Sequence, residues 1–303
     1  MERAMTHQPK QAATFMVISM LIIGLIDNYI AVIAHDISLW QFQFFRACMG
    51  LPMLALVAYF GFGTLRPIRL WAVLLRNGLI ALGMVFYFGS LAFMPIAQAL
   101  AGLFTAPIFV LLISVFAFGE KVGFLRIFAV LLGFAGIIVV LGPNDGAMTW
   151  VNFLPVFGGL FYAMGSVATQ KICAGENTLV MLAGIFGLQG VIGAVMLTGL
   201  AIVAPEAPAG SDGFLLRGLI WPTSLTWSLI LLQAVGSLIG VGFLVKAYQS
   251  AEPSFVTVFE YSIFIFGPFF AYVLMGQGIT VNQLIGIVMI AGAGSLIALR
   301  SKG

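Results

Sequence analysis

The chain is a succession of apolar runs about 20 residues long, such as FMVISMLIIGLIDNYIAVIA (15–34) and LWAVLLRNGLIALGMVFYFG (70–89). Leu, Ile, Val, Ala, Phe and Gly occupy every face of these runs, without the period-two alternation of a barrel strand. A helix satisfies its own backbone N–H and C=O groups, so a run of this length crosses the hydrocarbon core of a bilayer unaided. Composition closes off the soluble alternative. Hydrophobic residues make up 62% of the 303 and charged residues 8%, against about 45–50% and about 25% in soluble domains. The sequence predicts an all-α integral membrane protein.

Cutting at charged, Pro/Gly-rich or Asn/Asp-bearing breaks gives about ten transmembrane helices. They are 12–34, 38–61, 68–90, 95–118, 122–141, 150–171, 178–204, 224–247, 254–276 and 279–299, referred to below as spans 1 to 10. The first run exceeds the ~7–15 residues of a signal-peptide core, which makes it a retained helix. One linker is extended, PEAPAGSDGFLLRGLIWPT (205–223). Basic residues mark the cytoplasmic side. Arg3, Lys10, Arg66, Arg69, Lys121, Arg126, Lys171, Lys246, Arg300 and Lys302 collect on one side and Arg217 on the other, so both termini are expected in the cytoplasm and the chain in a bacterial inner membrane. Trp40, Trp71, Trp150, Trp221 and Trp227 lie near span starts, at interfacial depth.

No segment between spans is long enough for a soluble domain. Neither a G-x-x-x-x-G-K-[ST] phosphate loop nor an H-E-x-x-H zinc motif occurs, and Cys48 and Cys173 fall far from any shared loop. No cofactor, metal, nucleic acid or enzymatic activity is expected. The expected partners are a small-molecule substrate and membrane lipid, and a monomer is compatible with the sequence.

The second half echoes the first. FYFGSLAFMPIAQALAGLF (86–104) aligns with FLVKAYQSAEPSFVTVFEY (243–261), and VFAFGEKVG (115–123) with YVLMGQGIT (272–280). GLIDNY (24–29) weakly echoes GLFYAM (159–164), and Arg76 aligns with Gln233. Residues 1–145 and 146–303 thus form two repeats of five spans, and an odd number forces the copies into the membrane in opposite senses. Inversion explains why GEKVG keeps Glu120 and Lys121 while GQGIT has neither. The first turn is cytoplasmic and the second external, where basic residues are disfavoured.

The segment SLAFMPIAQALAGLFTAPIFVLLISVFAFGEKVGFLRIFAVLLGFAGIIVVLG resembles the drug/metabolite transporter superfamily in its EamA-type, ten-helix branch. The residues that carry the resemblance are Gly89, Pro95, Ala97, Ala99, Pro107 and Gly119-Glu120, with FFRACMG as an arginine-bearing second helix. The resemblance implies export of small metabolites, often amino acids or toxic analogues, and a cavity bordered by spans 1, 3, 4, 6, 8 and 9. Alternating access follows from that architecture. An uncoupled facilitator, a multidrug exporter or an uptake carrier fits the same fold.

Ionisable residues inside spans cost several kcal/mol unless paired or wet, which makes each a candidate site residue. Asp27 and Arg46 lie at similar depth, ~12 Å from one face. They can brace spans 1 and 2 as an ion pair, or Asp27, with Asn28 beside it, can meet a substrate ammonium. Arg76 and Asn77 lie ~12–14 Å, and Glu260 ~9 Å, from the opposite face. A cation and an anion on one pocket suit a zwitterion, and a static ion pair is the structural alternative. Gln98, Tyr162, Gln233 and Tyr261 fall on the cavity spans, as substrate contacts or as interhelical hydrogen bonds. Pro107 and Pro268 remove backbone donors inside spans 4 and 9 and are candidate hinges.

Overall fold

The structure is a computed structural model that describes residues 8–90, 99, 102–141, 153–203, 205–276 and 281–300. Among the described residues every regular element is helical. Six stretches are long and apolar enough to cross a bilayer, and three more apolar helices are shorter.

Span 1 divides into α1 (Pro9–Asp27) and α2 (Ile30–Asp36). The last turn of α1 tightens as the Tyr29 N–H donates to the Ile26 carbonyl at 3.0 Å. The Asn28 side chain donates to the Gly24 carbonyl at 2.7 Å and, across to span 9, to the Gly267 carbonyl at 3.2 Å. Spans 2 and 3 are α3 (Leu39–Tyr59) and α4 (Leu70–Ser90). The Ser38 hydroxyl caps α3 by accepting from the Gln41 N–H at 3.2 Å. Ahead of α4, the Glu176 carboxylate accepts from the Ile68 and Arg69 N–H groups at 2.9 and 2.5 Å.

Span 4 is represented by α5 (Ala106–Phe116), preceded by a turn at Phe104 and Thr105. Spans 5 to 8 are α6 (Phe124–Leu141), α7 (Leu154–Lys171), α8 (Thr178–Val203) and α9 (Ser224–Ser250). Span 9 is broken into α10 (Pro253–Val256), a 3-10 turn (Thr257–Ser262) and α11 (Ile263–Met275). It ends on Gly276, whose φ of 65° requires a residue without a Cβ. α12 (Val281–Arg300) is span 10.

The principal helix pairs follow a pseudo-symmetry: exchanging each span with the span five later or earlier maps them onto one another, while α9 also touches α7 and α8 in contacts that have no comparable counterpart among the described residues. α4 packs on α7 as α1 packs on α9, and α5 packs on α7 as α1 packs on α11. The pairs α3–α8 and α6–α12 map onto themselves. Gly83 and Gly240 lie three residues before the aligned blocks 86–104 and 243–261, and both sit at crossings. A Cβ on Gly83 would lie 2.8 Å from the Gly158 carbonyl oxygen on α7. A Cβ on Gly240 would lie 3.0 Å from Ile23 on α1, where the Ser19 hydroxyl donates to the Gly240 carbonyl at 2.7 Å. Glycine lets the backbones close at such crossings in a bilayer, where no hydrophobic force drives helices together.

The end of the bundle where α1 begins also carries the end of α9, since the Gln8 N–H donates to the Ser250 carbonyl at 3.2 Å. The opposite end is covered by the 205–223 linker. Trp40 Nε1 donates to the Leu215 carbonyl at 2.9 Å, and Arg217 Nη1 donates to the carbonyls of Ala34 and Ile37 at 2.9 and 3.1 Å.

Candidate substrate site

Spans 1 and 9 are interrupted at mid-depth, and the interruptions carry the acids. Asp27 closes α1, and Glu260 lies on the 3-10 turn between α10 and α11. Discontinuous helices are where irregular backbone meets a substrate inside a bilayer.

Asp27 is exposed, and its carboxylate makes no hydrogen bond or ion pair among the described residues. Arg46 on α3 and Tyr87 on α4 are near enough to act on it electrostatically. Asp27 thus lies within electrostatic reach of spans 2 and 3 from the end of α1. The expected Asp27–Arg46 ion pair is not formed. The Arg46 guanidinium is taken up by neutral acceptors: Nη2 donates to Gln43 Oε1 at 2.5 Å and to Gln189 Oε1 at 2.6 Å, and Nη1 to the Ser237 hydroxyl at 3.4 Å. Phe42 and Phe186 flank it, with ring centroids 5.1 and 5.4 Å from Cζ. Gln43 lies one turn before Arg46 and wins on proximity. Gln189 arrives from α8 because α3 and α8 pack together. Arg46 is thereby a tie between spans 2, 7 and 8, and Asp27 is left unpaired.

Arg76 is 1% exposed. Its Nε donates to the Thr169 hydroxyl on α7 at 2.8 Å and its Nη1 to Asn77 Oδ1 at 2.7 Å. The hydrogen bonds of Arg76 to the described residues use Nε and Nη1 and not Nη2, and the buried Asn77 Nδ2 is unsatisfied. Glu260 is 2% exposed. Its Oε1 accepts from the Tyr248 hydroxyl at 2.6 Å and from the Tyr162 hydroxyl at 3.4 Å. No carboxylate pairs with Arg76 and no basic group with Glu260 among the described residues, so the two are not joined in an ion pair either. Tyr162 stands between them, within electrostatic reach of both. A buried charge lacking its counter-charge costs several kcal/mol. Both keep hydrogen-bonding capacity unused by the described residues, which makes Arg76 and Glu260 the candidate site residues of the bundle interior.

Other candidates separate cleanly. Gln233 Nε2 donates to the Ile26 carbonyl at 2.7 Å and ties α9 to the end of α1, while its buried Oε1 is unsatisfied. Tyr261 is fully buried and belongs to a core with Ile137, Phe264 and Ile290. A Cβ on Gly133 would run into its ring. The Tyr261 ring packs among spans 5, 9 and 10, and its buried hydroxyl has no partner among the described residues. Gln98 lies outside the described residues. Pro107 stands in the first turn of α5, where its missing N–H breaks no helical bond, so it initiates a helix instead of kinking one. Pro268 is inside α11, next to the Gly267 carbonyl that receives Asn28.

Sequence reasoning missed Tyr248, Thr169, Gln43 and Gln189. Tyr248, Thr169 and Gln189 are ordinary polar residues until a partner from another span reaches them, and Gln43 until the fold turns Arg46 on the same helix towards it. It also read Glu120 as a topology marker alone. Glu120 Oε1 pairs with Lys171 Nζ at 2.9 Å and its Oε2 accepts from the Ser254 hydroxyl at 2.7 Å. Arg126 pairs with Glu252 at 2.5 Å and donates to Ser254 at 3.1 Å. These contacts join the turn between spans 4 and 5 to spans 6 and 9 at the end where α1 begins. Among the described residues, no three His, Cys, Asp or Glu side chains come together as a metal site.

Two helical repeats packed by pseudo-twofold exchange, with an acid at each of two broken helices and a buried arginine on α4, are the architecture of a multi-pass membrane transporter. The EamA-like transporter family model matches residues 10–142 and 149–299, and the chain belongs to that family. A riboflavin transporter of Rhizobium johnstonii is 29% identical over 223 residues, covering 74% of this chain and 67% of that protein. An S-adenosylmethionine uptake transporter of Rickettsia bellii is 24% identical over 277 residues, covering 91% and 88%. A solved crystal structure with 16% identity has the same fold, with a TM-score of 0.77 over 95% of this chain and 98% of that one.

Proposed function

We propose that this protein is a secondary carrier that moves a zwitterionic metabolite across the bacterial inner membrane by alternating access, with both termini in the cytoplasm. Two buried charges of opposite sign carry the reading: Arg76 on span 3 and Glu260 on span 9, unpaired among the described residues and both within electrostatic reach of Tyr162 on span 6. Arg76 Nη2 receives the substrate carboxylate. Glu260, held by Tyr248, receives its ammonium, with Asp27 and Asn28 as the next acceptors towards the opposite face. The halves 1–145 and 146–303 rock about the site, and the contacts of Glu120 and Arg126 close the end where α1 begins.

An amino-acid head group is the chemistry such a site reads. It is shared by free amino acids, the substrates implied by the family resemblance, and by S-adenosylmethionine, named for the Rickettsia relatives. Those names favour uptake over the export that the resemblance implies. Counterflow in proteoliposomes tests the reading with labelled amino acids, S-adenosylmethionine and riboflavin. Exchange of an amino-acid-bearing substrate is expected. Exchange of riboflavin alone overturns the zwitterion assignment, and no exchange of any overturns the carrier reading for this substrate class.

A further inference from the structure

At the end of the bundle where α1 begins, a cleft of about 630 Å³ lies away from the Arg76–Glu260 site. Its walls come from α1, the turn between α3 and α4, the turn between α7 and α8, and the last third of α9. Three charged side chains line it: Arg66, Glu176 and Lys246. The acid is already engaged, since the Glu176 carboxylate accepts from the Ile68 and Arg69 N–H groups. The Arg66 guanidinium and the Lys246 ammonium have no hydrogen bond or ion pair among the described residues, and both side chains are exposed. Two cations from distant parts of the chain thus converge on one cavity whose single acid has its oxygens engaged by backbone N–H groups, so the lining carries a net positive charge.

The remaining surface is apolar. Phe15 and Phe243 form the floor, with ring centroids 5.6 Å apart. Phe62 on the rim is 80% exposed, an apolar surface of the kind lipid covers at the edge of a membrane protein. We infer that this cleft seats the headgroup of an anionic phospholipid, its phosphate on Arg66 and Lys246 and its glycerol and first acyl carbons on Phe15 and Phe243. A free phosphate would match the cations and leave the aromatic floor unused. The inference is independent of the substrate and requires only that the chain sit in a bilayer.

The test is thermal unfolding of the purified protein in neutral detergent, titrated with dioctanoylphosphatidylglycerol, dioctanoylphosphatidylcholine or glycerol 3-phosphate. Phosphatidylglycerol is expected to raise the unfolding midpoint by several degrees in a saturable way, and the other two to leave it nearly unchanged. The double variant Arg66→Gln/Lys246→Gln is expected to weaken the apparent affinity by about thirtyfold, the product of two basic contacts of ordinary membrane strength. The control Lys121→Gln is expected to keep it. If the double variant does not fold, each single variant is expected to lose about fivefold. A full phosphatidylglycerol response in variants lacking these charges overturns the inference. So does an equal response to phosphatidylcholine, or a response to glycerol 3-phosphate that matches the lipid.

Discussion

The Tyr248 hydroxyl donates to Glu260 Oε1 at 2.6 Å, joining the last turns of α9 to the broken segment of span 9. Both groups are buried, and the carboxylate has no basic neighbour to stabilise it. A hydrogen bond to a charged group is worth about 1.5–3 kcal/mol. Tyr248→Phe is therefore expected to raise KM for transport roughly tenfold or more at unchanged protein level. Glu260→Gln, which keeps the shape and removes the charge, is expected to abolish flux. Initial rates in proteoliposomes against substrate concentration separate the two effects.

Arg76 reaches Thr169 and Asn77 with two different nitrogens, which leaves the third for a ligand. A lysine ammonium cannot reproduce that planar fork. Arg76→Lys is expected to transport as poorly as Arg76→Ala while both elute from size exclusion as the wild type does. Wild-type rates in Arg76→Lys would mean that charge alone suffices there.

Gly83 and Gly240 occupy corresponding crossings, yet the structure makes them unequal. At Gly83 an added Cβ meets a backbone carbonyl of α7, and at Gly240 it meets the Ile23 side chain. Backbone cannot yield as a side-chain end can, so Gly83→Ala is expected to cost about 1–3 kcal/mol and Gly240→Ala less. Thermal unfolding in detergent measures both.

Glu120 and Arg126 hold one end of the bundle through Lys171, Ser254 and Glu252. Glu120→Gln combined with Arg126→Gln is expected to shift the population towards the state open at that end. A cysteine introduced as Thr257→Cys, on the buried 3-10 turn, reports this through faster alkylation by an impermeant maleimide applied from the Glu120 side. Unchanged alkylation would remove these contacts from the gate.

The helical class and the repeat were legible in the sequence because length and apolarity decide them, and because VFAFGEKVG and YVLMGQGIT share their glycine turn. Arg76 and Glu260 stand out in the sequence because an ionisable residue inside a span is rare, and the structure buries both. Partnerships were not. Arg46 had an acid at matching depth, yet the side chains that hold it are Gln43 and Gln189, and only the packing of α3 on α8 brings the second within reach. Tyr261 and Glu260 are sequence neighbours with opposite fates, because a 3-10 turn points one into the core of spans 5, 9 and 10 and the other towards Tyr162. Pro107 looked like a kink because the turn at Phe104 and Thr105 leaves no mark in the hydropathy.

In the proposed carrier Arg76 meets a carboxylate on the substrate. The most direct measurement compares competition by the transported zwitterion and by its methyl ester, in wild type and in Arg76→Ala, by counterflow. Esterification is predicted to weaken competition strongly in the wild type and hardly at all in Arg76→Ala, since the variant has already lost the partner of that group. An equal loss in both proteins would contradict the account and return Arg76 to a structural role.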